Sequence, residues 1–284
     1  MRVRWASVLT IPLTLVAQPA PTRISAIRCD VTAPIAAPRL SWRGDVVQWA
    51  EWPVHLGPRR VANRLVVVRV PMARARFALE IARRDGEMLP WTLDAAPADV
   101  ALALNAGQFT DDAPWGWVVH KQREIRPPGS GPLAGAFVVD SSGTVAVLGA
   151  TELAAWRSPL RAVEAFQSYP MLLADRGRPP RALCDPRGGL DLTHRDARLA
   201  VGVTRDGHVL VVLSRFELPG RVTTRVPIGP TTPEMAEVLR RLGADRALML
   251  DGGLSAQLLV RSAADSARWP GLRSVPLALV ARTR

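Results

Sequence analysis

Two apolar runs near the C-terminus, residues 247–250 and 258–260, are interrupted by Asp251-Gly252-Gly253-Leu254-Ser255. A carboxylate, two glycines and a hydroxyl between apolar segments mark a polar turn joining two buried strands. Adjacent glycines admit positive φ and let backbone approach a ligand closely, and a carboxylate at a strand end is held rigidly. The same residues also fit an ordinary hairpin turn, because Asp-Gly is a strong hairpin signal. What the rest of the chain brings to this turn decides between the two.

Just upstream, Thr231-Thr232-Pro233-Glu234 is a helix start, with a capping hydroxyl, a proline in the first turn and a glutamate three residues after Thr231. Met235, Val238, Leu239 and Leu242 supply an apolar face, and Gly243 stands where a helix ends. Strand 209–213, helix 232–242 and strand 247–250 then form a β-α-β unit that ends at Asp251, and ligands gather beyond the carboxyl ends of such strands. Earlier, alternation predicts strands over 65–70 and 76–82 as an antiparallel pair, before a turn at Asp85-Gly86. A short helix over 95–99 feeds strand 100–104, which runs out into Asn105-Ala106-Gly107-Gln108-Phe109. A strand over 115–119, a loop over 126–132 and a hairpin of 134–140 with 145–148 follow. Residues 159–166 read as a helix, 174–191 as mostly loop, and 198–204 with 209–213 as the clearest hairpin. The 25 prolines and 21 glycines suit many turns and short elements. The expected fold is α+β (mixed α/β): a single domain over 61–284, with a mixed, largely antiparallel sheet and a few flanking helices.

The chain begins Met1-Arg2-Val3-Arg4, followed by an apolar stretch to Ala17, which reads as an export signal over 1–17 and a periplasmic or extracellular destination. Pro12 interrupts that stretch, which is shorter than the ~20 residues of a membrane span, so stable membrane insertion is not expected. Residues 18–60 read as a linker and loosely structured lead-in carrying Trp42, Trp49 and Trp52. Cys29 and Cys184 form one disulfide or remain two buried thiols. The net charge of +12 comes almost wholly from arginine, with Lys121 as the lysine. Such charge favours phosphate-bearing envelope polymers or lipid headgroups. No basic run interleaved with aromatics points to nucleic acid.

Several chemistries compete at the Asp251 turn. Gly253-Leu254-Ser255-Ala256-Gln257 is one glycine short of a nucleophile elbow, and the last histidine, His208, precedes it, so a serine hydrolase using Ser255 ranks third. His55, His120, His194 and His208 form no pair at ligand spacing, there is no Cys-x-x-Cys, and phosphate-loop and dinucleotide fingerprints do not occur. No metal or cofactor is expected. Glycoside cleavage normally uses two carboxylates, and Asp251 is the best placed here. A phosphate ester departs as a stabilised anion, which lowers the need for a general acid. One carboxylate plus cationic and N–H donors then suffices, and Arg198, Asn105 and the Gly252/Gly253 strand end are natural partners.

Four stretches in order carry a resemblance: residues 104–109, residues 166–172, residues 198–207, and residues 231–243 leading into 250–255. Together they resemble the phosphodiester glycosidase domain family, over about 65–260. The resemblance implies a pocket holding Asn105, Arg198, Asp251, Gly252, Gly253 and Ser255, with Gly107 beside them and Gln167 and Thr231 at the wall. It implies a hydrolase that cleaves a sugar-1-phosphodiester, or another phosphorylated glycan, into a sugar and a phosphomonoester. The chain departs from the family's pattern at Ala106, Gln108 and Leu254, which keeps a catalytically silent, glycan-binding envelope module as the alternative. Each residue also has a structural role to weigh: Asn105 on turn backbone, Arg198 in an ion pair, Asp251 capping its turn, Gln167 on backbone near a helix end, Thr231 as an N-cap.

Overall fold

The run Leu65-Val66-Val67-Val68 is apolar at successive positions because both faces of its sheet are covered, with even residues on one core and odd residues on another. The computed structural model describes residues 35–57, 61–81, 83–84, 87–110, 113–185, 188–215, 229–263 and 265–284. The expected export signal, Cys29 and the Asp85-Gly86 turn lie outside the described residues.

In chain order the strands begin with β1 (Gln48–Leu56), β2 (Val61–Pro71), β3 (Ala75–Glu80), β4 (Arg83–Arg84), β5 (Glu87–Met88), β6 (Leu102–Asn105), β7 (Phe109–Thr110) and β8 (Ala113–Pro114). Next come β9 (Val118–His120), β10 (Arg123–Arg126), β11 (Gly135–Asp140), β12 (Val145–Gly149), helix α1 (Leu153–Arg157), β13 (Ala162–Ser168) and β14 (Met171–Leu173). The last elements are β15 (Leu199–Thr204), β16 (His208–Arg215), α2 (Thr232–Arg241), β17 (Ala244–Met249), β18 (Leu258–Arg261), β19 (Ser266–Trp269) and β20 (Ala278–Thr283). Three antiparallel sheets carry the architecture, in the orders β1-β2-β16-β15-β17-β14, β10-β9-β13-β11-β12 and β19-β18-β6-β20-β3.

One face of each sheet points into a shared core that joins Val66 and Val68, Phe77, Leu104, Phe137, Phe166 and Leu248. Phe137 stacks on Phe166 at 5.3 Å and meets Phe77 edge-on at 6.1 Å, so the aromatic rings knit the sheets where they converge. Helix α2 covers the outer face of the six-stranded sheet with Met235, Val238 and Leu239. Trp91 and Leu93 cover a second outer face, and Trp117 and Leu153 lie on a third. The protein is more sheet-rich than the α+β expectation, and α2 is its one long helix among the described residues.

Several local expectations change. Residues 159–166 are not a helix: Ala162–Ser168 is a strand paired on both sides, with β9 and β11, and its burial on both faces removes the alternation that marks a strand. The lead-in is not loose throughout, since β1 pairs with β2 from Gln48 to Leu56 and buries Trp49 and Trp52 on opposite faces. Strands β2 and β3 are not paired with each other: a 3-10 turn, Met72–Arg74, carries the chain onto another sheet, where β3 pairs with β20. The expected helix at 95–99 is a 3-10 turn at Leu93–Ala95. Strands β16 and β17 are both antiparallel to β15 and so parallel to each other, which makes the expected β-α-β unit a crossover around an inserted strand. Cys184 is disulfide-bonded, so the free-thiol alternative falls.

Candidate functional site

The Asp251 turn is shaped by close backbone contact with the segment entering β15. Leu250 N–H donates to the Leu199 carbonyl at 2.8 Å and Gly253 N–H to the Ala197 carbonyl at 2.8 Å, so Asp251 and Gly252 bow out opposite Arg198. A Cβ on Gly252 would stand 2.4 Å from the Ala197 carbonyl oxygen, and Gly253 has φ +55°. Both glycines are therefore required by the turn itself. Gly252→Ala is expected to cost about 1–3 kcal/mol, as overpacking does, and to displace Asp251, which urea unfolding and a matched activity assay would register.

Asn105, at the end of β6, is fully buried. Its Nδ2 donates to the Asp251 carbonyl at 2.9 Å, and its Oδ1 accepts the Gln257 N–H at 3.0 Å. The Asp251 N–H donates to the Gly107 carbonyl at 3.1 Å, and the Ser168 hydroxyl donates to the Met249 carbonyl at 2.6 Å. The ends of β6, β13 and β17 thus meet at this turn. Asn105 is a positioning residue that holds both sides of the turn. Its role on turn backbone, weighed in the sequence, is what the geometry shows.

The Asp251 carboxyl is half-buried, and burial pushes its pKa above the usual carboxylate range. A hydrogen bond with the Ser255 hydroxyl, the charge of Arg273 and the Gly252 N–H pull the other way, while the nearby charge of Asp196 adds to the rise. Ser255 is buried with its hydroxyl on this carboxylate. The histidines with ion-pair partners use others, His120 on Glu164, His194 on Asp196 and His208 on Asp206, so Ser255 is not set up as a histidine-activated nucleophile.

Arg198 makes no ion pair among the described residues. Its Nε donates to the Pro230 carbonyl at 3.3 Å and its Nη2 to the His194 carbonyl at 2.9 Å, and burial lowers its pKa while the charges of Asp196 and Asp191 raise it. Asp196 is therefore the residue whose charge reaches both Arg198 and Asp251. Gln167 turns its side chain away from the turn, accepting the N–H groups of Trp117 at 2.9 Å and Gly129 at 2.8 Å. Its amide nitrogen donates to the Gly129 carbonyl at 3.0 Å. It contributes to the site through its backbone carbonyl, which would lie 2.9 Å from a Cβ on Gly107 and so holds that position to glycine, at φ +67°. Thr231 is the N-cap of α2 in a complete capping box. Gly253 N–H is committed to Ala197, so an incoming phosphate would have to displace that bond to use it.

Two charged residues at the turn escaped the sequence reading. Arg273 is exposed, stacks its guanidinium over Phe109 at 4.8 Å, forms no ion pair among the described residues and acts electrostatically on Asp251. Asp196 anchors its carboxylate on the Ala197 N–H at 2.7 Å. Asp196 stood two residues before a recognised arginine with no pattern to mark it, and Arg273 arrives through an irregular segment more than twenty residues downstream. Among the described residues, no three His, Cys, Asp or Glu side chains gather as a metal site.

The sequence profile of phosphodiester glycosidases matches residues 98–282, which include every element that meets at Asp251. The chain belongs to the phosphodiester glycosidase family. Its family is one of glycosidase-type hydrolases. The catalytic domain of zebrafish N-acetylglucosamine-1-phosphodiester alpha-N-acetylglucosaminidase, auto-inhibited by its pro-peptide, is similar in fold with a TM-score of 0.65 at 16% identity, covering 88% of each chain. A protein from Synechocystis described as hypothetical aligns with a TM-score of 0.54 at 18% identity, over 87% of this chain and 64% of its own. A third, from Burkholderia pseudomallei K96243 and described as an exported protein, aligns with a TM-score of 0.50 at 17% identity, over 78% of this chain and 74% of its own. No curated protein sequence matches this chain.

Proposed function

We propose that this chain hydrolyses the bond between an anomeric carbon and a phosphodiester oxygen, releasing a sugar and a phosphomonoester. The observation that carries the reading is Asp251: a half-buried carboxyl at a strand end held by Asn105 and Gly107, its pKa raised by burial and acted on by the charge of Arg273, which makes no ion pair among the described residues. A raised pKa makes Asp251 a stronger base toward water once it is ionised. The phosphate side leaves as an anion, and Arg273, with Arg198 behind the turn, supplies positive charge. Asn105, Gly107, Gly252 and Gly253 fix the turn, and Ser255 orients the carboxylate. The substrate class is a sugar-1-phosphodiester or a phosphorylated glycan. The basic, apolar N-terminus and the description of the Burkholderia relative support action outside the cytoplasm. No helix among the described residues is long and apolar enough to cross a membrane.

The test is a panel of sugar-1-phosphodiesters, with free sugar and phosphomonoester followed separately. Equal release of both supports the reading, and release of neither from any member overturns it. Asp196 offers a second, sharper check. Its charge helps to raise the Asp251 pKa, so in Asp196→Asn that pKa falls and the acidic limb of the kcat/KM profile moves to lower pH. An unmoved limb would separate Asp196 from the reaction. The departures at Ala106, Gln108 and Leu254, with the net charge of +12, support the alternative of a silent glycan-binding module. Saturable, salt-sensitive glycan binding without product would select that alternative.

A further inference from the structure

Among the described residues only two large hydrophobic side chains are strongly exposed, Leu254 at 50% and Leu272 at 68%, and they lie on adjoining loops. The Leu272 N–H donates to the Leu254 carbonyl at 2.7 Å, and the Arg273 N–H donates to the same oxygen at 3.1 Å. Gly271 permits this approach, since a Cβ there would meet the carbonyls of Leu254 and Ser255 at 3.1 Å. The pair is thus a fixed lip, built into the Asp251 turn on one side. Scattered exposed leucines need no explanation, but two held together at the edge of a charged site do.

Three chemistries share these two bonded loops: the Asp251 carboxyl with Ser255, the Arg273 cation that acts on it and lies over Phe109, and the exposed Leu254 and Leu272. We infer that the alcohol on the far side of the phosphodiester carries an aliphatic chain, so that the substrate is a lipid-type sugar-1-phosphodiester. This rests on the hydrolase reading above. The sugar lies at Asp251, the phosphate at Arg273 and the chain against the two leucines. Water attacks the anomeric carbon and gives its proton to Asp251. The anomeric C–O bond breaks with its electron pair passing to the phosphate oxygen, and the products are a free sugar and a lipid phosphomonoester.

The experiment compares one sugar-1-phosphodiester made with a methyl and with a decyl alcohol, below the micelle concentration. Burying the chain on the leucines is expected to raise kcat/KM for the decyl ester about tenfold over the methyl ester. In the Leu254→Ser, Leu272→Ser double variant the decyl-to-methyl ratio falls to near one. Turnover of neither ester sinks the hydrolase reading itself. Equal turnover of both by the unaltered protein, or a ratio that survives in the variant, overturns the lipid assignment and leaves the hydrolase standing. Binding to phospholipid vesicles that lack any sugar is measured in parallel. Loss of vesicle binding in the variant with an unchanged ester ratio would make the leucines a membrane-docking edge and would also overturn the substrate assignment.

Discussion

Replacing Asp251 with asparagine is expected to lower kcat/KM by about 10²–10⁴-fold, the usual contribution of a positioned acid or base. The amide keeps the shape of the carboxyl and an oxygen for the Ser255 hydroxyl and the Gly252 N–H, but it takes no proton from water. Stability should move in the opposite direction. Burial raises the folded-state pKa of Asp251, so the protonated form is the one the fold prefers. A group of that kind contributes stability below its unfolded pKa, about 4, and loses it as pH rises through the raised folded value. Asparagine does not titrate, so Asp251→Asn should unfold at or above the wild-type midpoint at neutral pH, with the advantage disappearing in acid. Thermal unfolding at several pH values, set beside the rate, separates this outcome from simple damage. A variant that is both inactive and markedly less stable at neutral pH would show that the carboxylate is a structural cap of the turn, and an undiminished rate would remove it from the chemistry.

Much of this turn was legible because its determinants are local. A carboxylate, two glycines and a hydroxyl between apolar runs announce a rigid polar turn whichever partners surround it, and the α2 capping box is complete within four residues. The elements that were misread depend on distant chain. Ala162–Ser168 is a strand because β9 and β11 flank it, and no residue within it announces both neighbours. Gln48–Leu56 carries Trp49 and Trp52 on different faces, so its apolar residues look unpatterned until both faces are seen to be covered. The pairing of β3 with β20 joins residues about two hundred positions apart, where the sequence offered only the nearer β2. The same limit governs the site. Asn105 could be placed at a strand end, but its clamp on Asp251 and Gln257 needs three separate strands to converge. Asp196 and Arg273 gain their significance from charge acting through space on Asp251, and spacing along the chain carries no trace of that.

The second large effect lies in the strap that holds the β15 entry against α2, and it is expected from Glu234→Ala. Glu234 is 2% exposed and engages four donors, two of them on Arg195. Arg195 Nη1 and Nη2 each donate at 2.8 Å, one to each carboxylate oxygen, while the Gly57 and Thr231 N–H groups each donate at 3.0 Å. Truncation takes the carboxylate from a largely buried guanidinium, which keeps the Gly229 carbonyl, and leaves two backbone donors unpaired, and breaking one half of a buried pair costs about 3–5 kcal/mol. Glu237 gives the control on the same helix: its pairs with Arg240 at 2.6 Å and Arg241 at 2.7 Å lie toward solvent, where such pairs contribute about 0.3–0.5 kcal/mol each. Urea unfolding should therefore show a large drop in midpoint for Glu234→Ala and a small one for Glu237→Ala, with similar slopes. Arg195 also donates to the Gly229 carbonyl at 2.8 Å and immediately precedes Asp196, so freeing it loosens the segment that sets the Asp251 environment. Any Glu234→Ala protein that remains folded should accordingly show a displaced acidic limb in its rate profile, as Asp196→Asn does, whereas Glu237→Ala should not. A Glu234→Ala protein as stable as Glu237→Ala would mean that Arg195 finds other partners and that the strap is not what fixes the β15 entry.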